Sequence, residues 1–264
     1  MHTVRPGHPR ARVAMLKLYQ FAFSHFCEKA CWALDYKQQP FDTVNLLPGL
    51  HVLWSRRLAA GTSLPILWDG AYIVQDSSAI IDYLEQRWPQ PALTPAAPEL
   101  AMQAREWERW LGEEIGVPLR LWFYRHVLAQ RRYAMAFLLR GASRRQGLLL
   151  RCLFPLIRPA MHHKMKINPV NAAAARLQLE QALDRLEAAL QGRDYLVGDA
   201  FSRADLTAAA LLWPLLPWEG DEAAMQARLP EVVWLWRQGF VQRPLYGWLQ
   251  RIYRLHRPAS CIQP

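Results

Sequence analysis

Acidic residues are scarce in this 264-residue chain: 22 stand against 32 lysines and arginines, for a formal net charge of +10. Such an imbalance attracts nucleic acid, anionic lipid or a small anionic molecule, and it also serves solubility alone. No recognised nucleic-acid-binding module accompanies the charge, so nucleic acid is not an expected partner. Cysteine is scarce as well. Cys27, Cys31, Cys152 and Cys261 stand at spacings that suggest neither a disulfide framework nor a zinc knuckle. Reduced thiols in the cytoplasm are therefore the expectation. Long hydrophobic runs are missing: the most apolar stretch, 148–157, is broken by Arg151 and Pro155, far short of the about 20 residues a membrane span needs. Arg5, Arg10 and Arg12 precede no apolar run, which argues against a secretory signal. His51 and the pair His162–His163 have no partners at metal-ligand spacing. Repeats and low-complexity tracts are absent too.

What is present is enough apolar sequence, 52% of residues, to bury a sizeable core, in a length that suits two domains. Residues 16–21 read as a strand. From Ser24 to Tyr36, Phe26, Ala30, Ala33 and Leu34 share a helical face, and Phe41 to Leu46 alternates like a second strand. Strand, helix, strand predicts a parallel crossover unit. Asp69-Gly70 between short apolar runs predicts a hairpin, and the polar residues 75–78 ahead of Ala79, Ile80 and Ile81 predict a helix start. A proline-rich joint over 89–98 then divides the chain. Beyond it every segment reads as helix: 99–130, 172–190, 203–212, 222–237 and 245–255. The predicted organisation is an α/β domain over 14–89 and an all-α domain over 96–257.

Three places carry candidate chemistry. Ser24 lies where the first strand meets the first helix, and free N–H groups and the helix dipole favour negative charge there. Its hydroxyl either caps the helix or donates to a thiolate, the reactive form of a thiol. Leu64-Pro65 opens the third strand, where proline is tolerated; a cis bond there would turn the Leu64 backbone outward toward a peptide-like ligand. Asp76-Ser77 opens another helix, as a cap or as a clasp for a carboxylate and an ammonium.

In this order, Ser24-x-x-Cys27-x-Lys29, Leu64-Pro65 and Asp76-Ser77-x-Ala79-Ile80 resemble the N-terminal domain of soluble glutathione transferases. Tyr195-Leu-Val-Gly-Asp199-x-Phe201-Ser202-x-Ala204-Asp205 resembles the capping box of that family's helical domain, in which Ser202 caps a helix and Asp205 reaches back to it. The resemblance covers roughly residues 16–254. It implies a thioredoxin-like N-terminal fold followed by an all-helical domain, with reduced glutathione as co-substrate. Leu64, with Pro65 in cis, would pair with the cysteinyl backbone; Asp76 and Ser77 would hold the γ-glutamyl end; Ser24 would activate the sulfur. Cys27 matches the second cysteine of the related Cys-x-x-Cys motif, and with serine in the first place dithiol redox chemistry is not expected. The resemblance also implies a homodimer.

One segment departs from that pattern. Residues 131–169 interleave Arg131, Arg132, Arg140, Arg144, Arg145, Arg151, Arg158, Lys164 and Lys166 with leucines, Cys152, Phe154 and Ile157. The segment reads as a helical hairpin with a solvated basic face, or as a face that rests on an anionic membrane. The functional expectation is an enzyme that directs glutathione at a small electrophile. The competing reading, which the basic segment favours, is a non-catalytic binding or scaffold protein of the same fold. The tryptophans are expected to pack the helical domain, some of them lining an apolar pocket beside the sulfur site.

Overall fold

The computed structural model describes residues 16–217 and 221–257. Residues 14–15, the arginine-rich start and Cys261 lie outside the described residues. The first domain runs β1 (Leu16–Gln20), α1 (His25–Tyr36), β2 (Phe41–Asn45), α2 (His51–Leu58), β3 (Ile66–Asp69), β4 (Tyr72–Gln75) and α3 (Ser77–Arg87). In β1, Leu16, Leu18 and Gln20 are buried while the residues between them are half-buried, the period-2 pattern of a central strand. The sheet order is β2-β1-β3-β4. β1 and β2 are parallel, joined through α1, and β3 runs antiparallel to both of its neighbours. Gly70, at φ +56°, makes the β3–β4 turn.

The second domain holds α4 (Pro98–Leu111), a π-helical turn (Gly112–Gly116), α5 (Val117–Val127), α6 (Arg131–Leu138), α7 (Arg144–Lys164), α8 (Pro169–Ala189), α9 (Arg203–Leu212), a 3-10 turn (Trp213–Leu215), α10 (Glu222–Ala227), α11 (Glu231–Val241) and α12 (Pro244–His256). Every residue of α9 is buried. Its alanines let α1 and α4 pack closely on either side. The Ser202 capping box forms: the Asp205 carboxylate accepts from the Ser202 N–H at 3.0 Å and the Leu196 N–H at 2.8 Å. The single helix expected over 222–237 is two, because Pro230 cannot donate to the turn before it and instead opens α11.

The two domains share one core, in which Trp32, Ile80, Ile81 and Leu84 meet Leu111, Ile115, Leu206 and Leu211. A buried ion cluster crosses the same seam. Lys29 of α1 pairs with Glu108 of α4 at 2.5 Å, Glu108 also pairs with Arg203 of α9, and Arg203 reaches Asp82 of α3 at 2.6 Å. On the outer side of α1, Arg257 pairs with Glu28 at 2.8 Å and Asp35 at 2.5 Å, and the Trp32 indole donates to the His256 carbonyl at 2.9 Å.

The basic segment forms α6 and α7 and docks on the first domain. Gln146 donates to the Asn45 carbonyl at 3.1 Å, Asn45 donates to the Gly141 carbonyl at 3.2 Å, and Lys164 donates to Thr62 at 2.6 Å. Pro155, inside α7, removes the N–H that would pair with the Arg151 carbonyl. Arg131 of α6 supplies the missing donor at 3.0 Å. Among the described residues, no helix is long and apolar enough to cross a membrane.

Candidate functional site

Ile66 stands opposite Tyr19, and Gln75 stands opposite Ile66. The end of β1, the start of β3 and the end of β4 therefore lie at one end of the sheet. Ser24 after β1, Leu64-Pro65 before β3 and Asp76-Ser77 after β4 all gather there, with α1 and α3 both starting from it.

The turn before β3 is held by one side chain. Gln75 accepts from the Gly61 N–H at 3.0 Å and donates to the Ser63 carbonyl at 2.7 Å. A Cβ at Gly61 would stand 2.8 Å from the Gln75 Oε1, so a side chain there would push the Gln75 amide out of this position. The Leu64–Pro65 peptide bond is cis. The Asp76 N–H donates to the Pro65 carbonyl at 3.2 Å, which joins the two corners directly. Asp76 has φ +91°, a sparsely populated region for a residue with a side chain. Its Oδ1 caps α3, accepting from Ser78 at 2.8 Å and Ala79 at 3.2 Å. Ser77, the first residue of α3, is buried, and Lys29 donates to Ser78 at 2.7 Å, tying α3 to α1.

Ser24 is the N-cap of α1, with extended backbone and a half-buried side chain. Its Oγ accepts from the Cys27 N–H over a long 3.4 Å. Cys27, one turn in, is 1% exposed. Burial pushes its thiol up to about 11, although the Phe21 backbone and the Ser24 hydroxyl both favour the thiolate. Cys31 is buried as well and lies 3.0 Å from the Gln20 Oε1, to which its thiol donates.

Beside Ser24 opens a small cleft. Phe23, Ser24 and His25 form one side; Leu119, Arg120, Phe123 and Tyr124 of α5 form the other; Phe137 and Pro214 complete it. Burial lowers the His25 imidazole to about 3, and the charge of Arg120 acts in the same direction. Burial raises the Tyr124 phenol, so it stays protonated at neutral pH. Leu64, Pro65, Asp76 and Ser77 do not line this cleft. The residues of α5 and α6 carry no sequence signal of a site, because only the packing of α5 against the β1–α1 corner makes them neighbours of Ser24. The aromatic wall is phenylalanine and tyrosine; no tryptophan lines it, although some were expected to.

Among the described residues no three His, Cys, Asp or Glu side chains gather as a metal site requires. His51 instead stands edge-on to Phe21 at 4.8 Å, and the His162 Nδ1 lies 3.2 Å from the Ile167 carbonyl.

Residues 18–92 match the glutathione S-transferase N-terminal domain, and residues 152–255 match the glutathione S-transferase C-terminal domain. The chain belongs to the glutathione transferase family. Glutathione S-transferase TCHQD of Arabidopsis thaliana is 26% identical over 227 residues, 81% of this chain and 82% of that protein. Protein LigF of a Sphingobium species is 30% identical over 103 residues, 37% of this chain but only 40% of LigF. The crystal structure of LigF, a β-etherase, superposes with a TM-score of 0.59 at 22% identity, covering 91% of this chain and 99% of that one. The theta class glutathione S-transferase of Xanthomonas axonopodis pv. citri, solved with glutathione bound, gives 0.57 at 22% identity over 90% and 96% of the two chains. Both solved structures share the fold seen here.

Proposed function

We propose that this glutathione transferase binds reduced glutathione at the end of the sheet and directs its sulfur at a small electrophile held in the cleft beside Ser24. The Leu64 backbone pairs with the cysteinyl unit, and Pro65 shapes that approach. Asp76 and the start of α3 at Ser77 hold the γ-glutamyl end. Relatives of the same fold bind glutathione, as the Xanthomonas protein does, which supports assigning it as the co-substrate here.

The observation that carries the reading is the Ser24 hydroxyl. It sits at the helix start, lines the cleft, and accepts only over a long contact from the Cys27 N–H, which leaves its own proton to donate. Offered to glutathione, the same O–H stabilises the thiolate once the thiol has given its proton to water. The sulfur then bonds to the electrophilic carbon, and the leaving group departs with the electron pair of the bond that breaks. Cys27 takes no part, because its thiol is buried and protonated at neutral pH.

Calorimetry with reduced glutathione tests binding, and Ser24→Ala tests the chemistry. The variant is expected to bind glutathione nearly as well as the wild type, to lose the ultraviolet absorbance of bound thiolate, and to slow conjugation by about 10²–10³-fold, the usual effect of one lost oxyanion-type donor. Cys27→Ala is expected to keep most of the activity. An active Ser24→Ala beside a dead Cys27→Ala would move the chemistry to Cys27. No heat with millimolar glutathione would remove the reading altogether.

A further inference from the structure

Arg120 is out of place in its surroundings. It projects from α5 into a cleft walled by phenylalanines, with its guanidinium carbon 5.5 Å from the centre of the Phe26 ring. It makes no hydrogen bond or ion pair with another described residue, and its Nε is buried without a partner. No carboxylate lines the cleft. The fully buried guanidiniums among the described residues are paired, Arg203 with Glu108 and Asp82, Arg237 with Glu222, and Arg257 with Glu28 and Asp35, whereas half-buried Arg120 has no carboxylate partner among them. A cation that gives up part of its hydration among apolar side chains without a counter-ion is costly, unless a ligand supplies the anion. A second unpaired group faces the same space. His25, also in the lining, is 6% exposed, and its Nε2 has no hydrogen-bond partner.

From this pairing of an uncompensated guanidinium with an aromatic wall, we propose that the electrophile is a small aromatic compound bearing an anionic group, and that the anion docks on Arg120 while the ring lies against Phe23, Phe123 and Phe137. The inference rests on the reading that the cleft beside Ser24 holds the second substrate. A planar guanidinium suits a carboxylate, which it can engage with two parallel N–H donors. The ring supplies apolar area that Phe123 and Phe137 can cover, and the His25 Nε2 can accept from a hydroxyl on the same ring. The residue specifies the substrate class and takes no part in bond making.

The probes are 3-nitrobenzoate and its neutral counterpart 3-nitrobenzamide, titrated into the full chain by calorimetry with and without reduced glutathione. The wild type is expected to bind the benzoate about tenfold more tightly, which corresponds to about 1.4 kcal/mol. Arg120→Gln is expected to erase that preference while leaving benzamide affinity within about twofold. Arg120→Lys keeps the charge and is expected to retain part of the preference, which guards against a folding defect in the first variant. Equal binding of the two probes by the wild type, or a preference that survives Arg120→Gln, would overturn the assignment. The glutathione reading fails separately, by showing no heat with glutathione while the benzoate preference remains.

Discussion

Replacing Glu108 by Gln keeps the volume of the side chain and removes one charge from the seam between the domains. Its partners are buried side chains, Lys29 at 3% and Arg203 at 1% exposure. Arg203 keeps Asp82, but Lys29 keeps no paired carboxylate, only the Ser78 hydroxyl, the more distant charge of Asp76 and the amide oxygen of the new Gln. Breaking a buried pair by deleting one partner costs about 3–5 kcal/mol. A ceiling comes from the lysine itself: it can escape by losing its proton, and doing so at pH 7 from an ordinary pKa near 10.4 costs roughly 4.6 kcal/mol. The expected loss is therefore about 3–4.5 kcal/mol, or on the order of 10 °C in Tm for a chain of this length. Urea and thermal unfolding followed by circular dichroism measure it. The pH dependence is a second signature. With Lys29 neutral in the folded variant and protonated when unfolded, the unfolded state binds more protons, so the variant's stability rises with pH by up to about 1.4 kcal/mol per unit until about pH 10. In the wild type the two cations hold Glu108 below the usual carboxylate range; its contribution is present above about pH 4.5 and lost as the pH falls through the lowered value. A Glu108→Gln protein within 1 kcal/mol of the wild type, with a flat profile above pH 7, would refute the reasoning.

Native alkylation with iodoacetamide at pH 8, read by peptide mass spectrometry, is expected to label exposed Cys152 and spare Cys27. A pKa of about 11 leaves a thiolate fraction near 10⁻³, some 200-fold below that of an ordinary thiol, before access is counted; Cys27 labelled at the rate of Cys152 would contradict its burial. The outward face of α7 sets Leu148, Leu149 and Leu156 among exposed Arg144, Arg145, Arg151 and Arg158, and we expect it to bring the chain down with phosphatidylserine vesicles at low salt and release it at 1 M salt. At about 1 kcal/mol per basic residue, Arg145→Gln with Arg151→Gln weakens that binding roughly 30-fold; no sedimentation at low salt disposes of the idea. Light scattering is expected to give twice the 30.6 kDa chain mass, and a mass near one chain at high concentration would show a monomer.

Much of the fold was legible because its signals are local. The Ser202–Asp205 capping box, the Asp69-Gly70 turn and the strand–helix junction at Ser24 each depend on neighbours within four residues, and each forms where its sequence predicts. The break at Pro230 was legible in principle, since proline rarely sits past the first turn of a helix. The two prolines within α7 could mislead, because the donor that offsets Pro155 comes from Arg131 on another helix. The site divides in the same way. Ser24, Leu64, Pro65, Asp76 and Ser77 flank strands or open helices, so their gathering follows from strand order. Arg120 has no such marker: it lies mid-helix like many surface arginines. That it lacks a counter-ion is a property of three dimensions, created when α5 packs beside the β1–α1 corner.

The Arg257 clamp on α1 bears on how the protein is made. Glu28 and Asp35 belong to α1, yet their cation lies 229 and 222 residues further along. At about 5–20 residues per second, the nascent α1 waits roughly 10–50 s for it. Until then the outer face of that helix carries two carboxylates that cannot be buried cheaply, and the face of Trp32 that the end of α12 will cover stays open. The N-terminal sheet can pair its strands early, but the helix that Ser24 caps receives this clamp only from Arg257, the final described residue. Native contacts of such long sequence separation slow folding and lengthen exposure to chaperones. Loss of a few residues at the end of α12 would therefore be felt at α1 and at the sulfur site proposed beside its start.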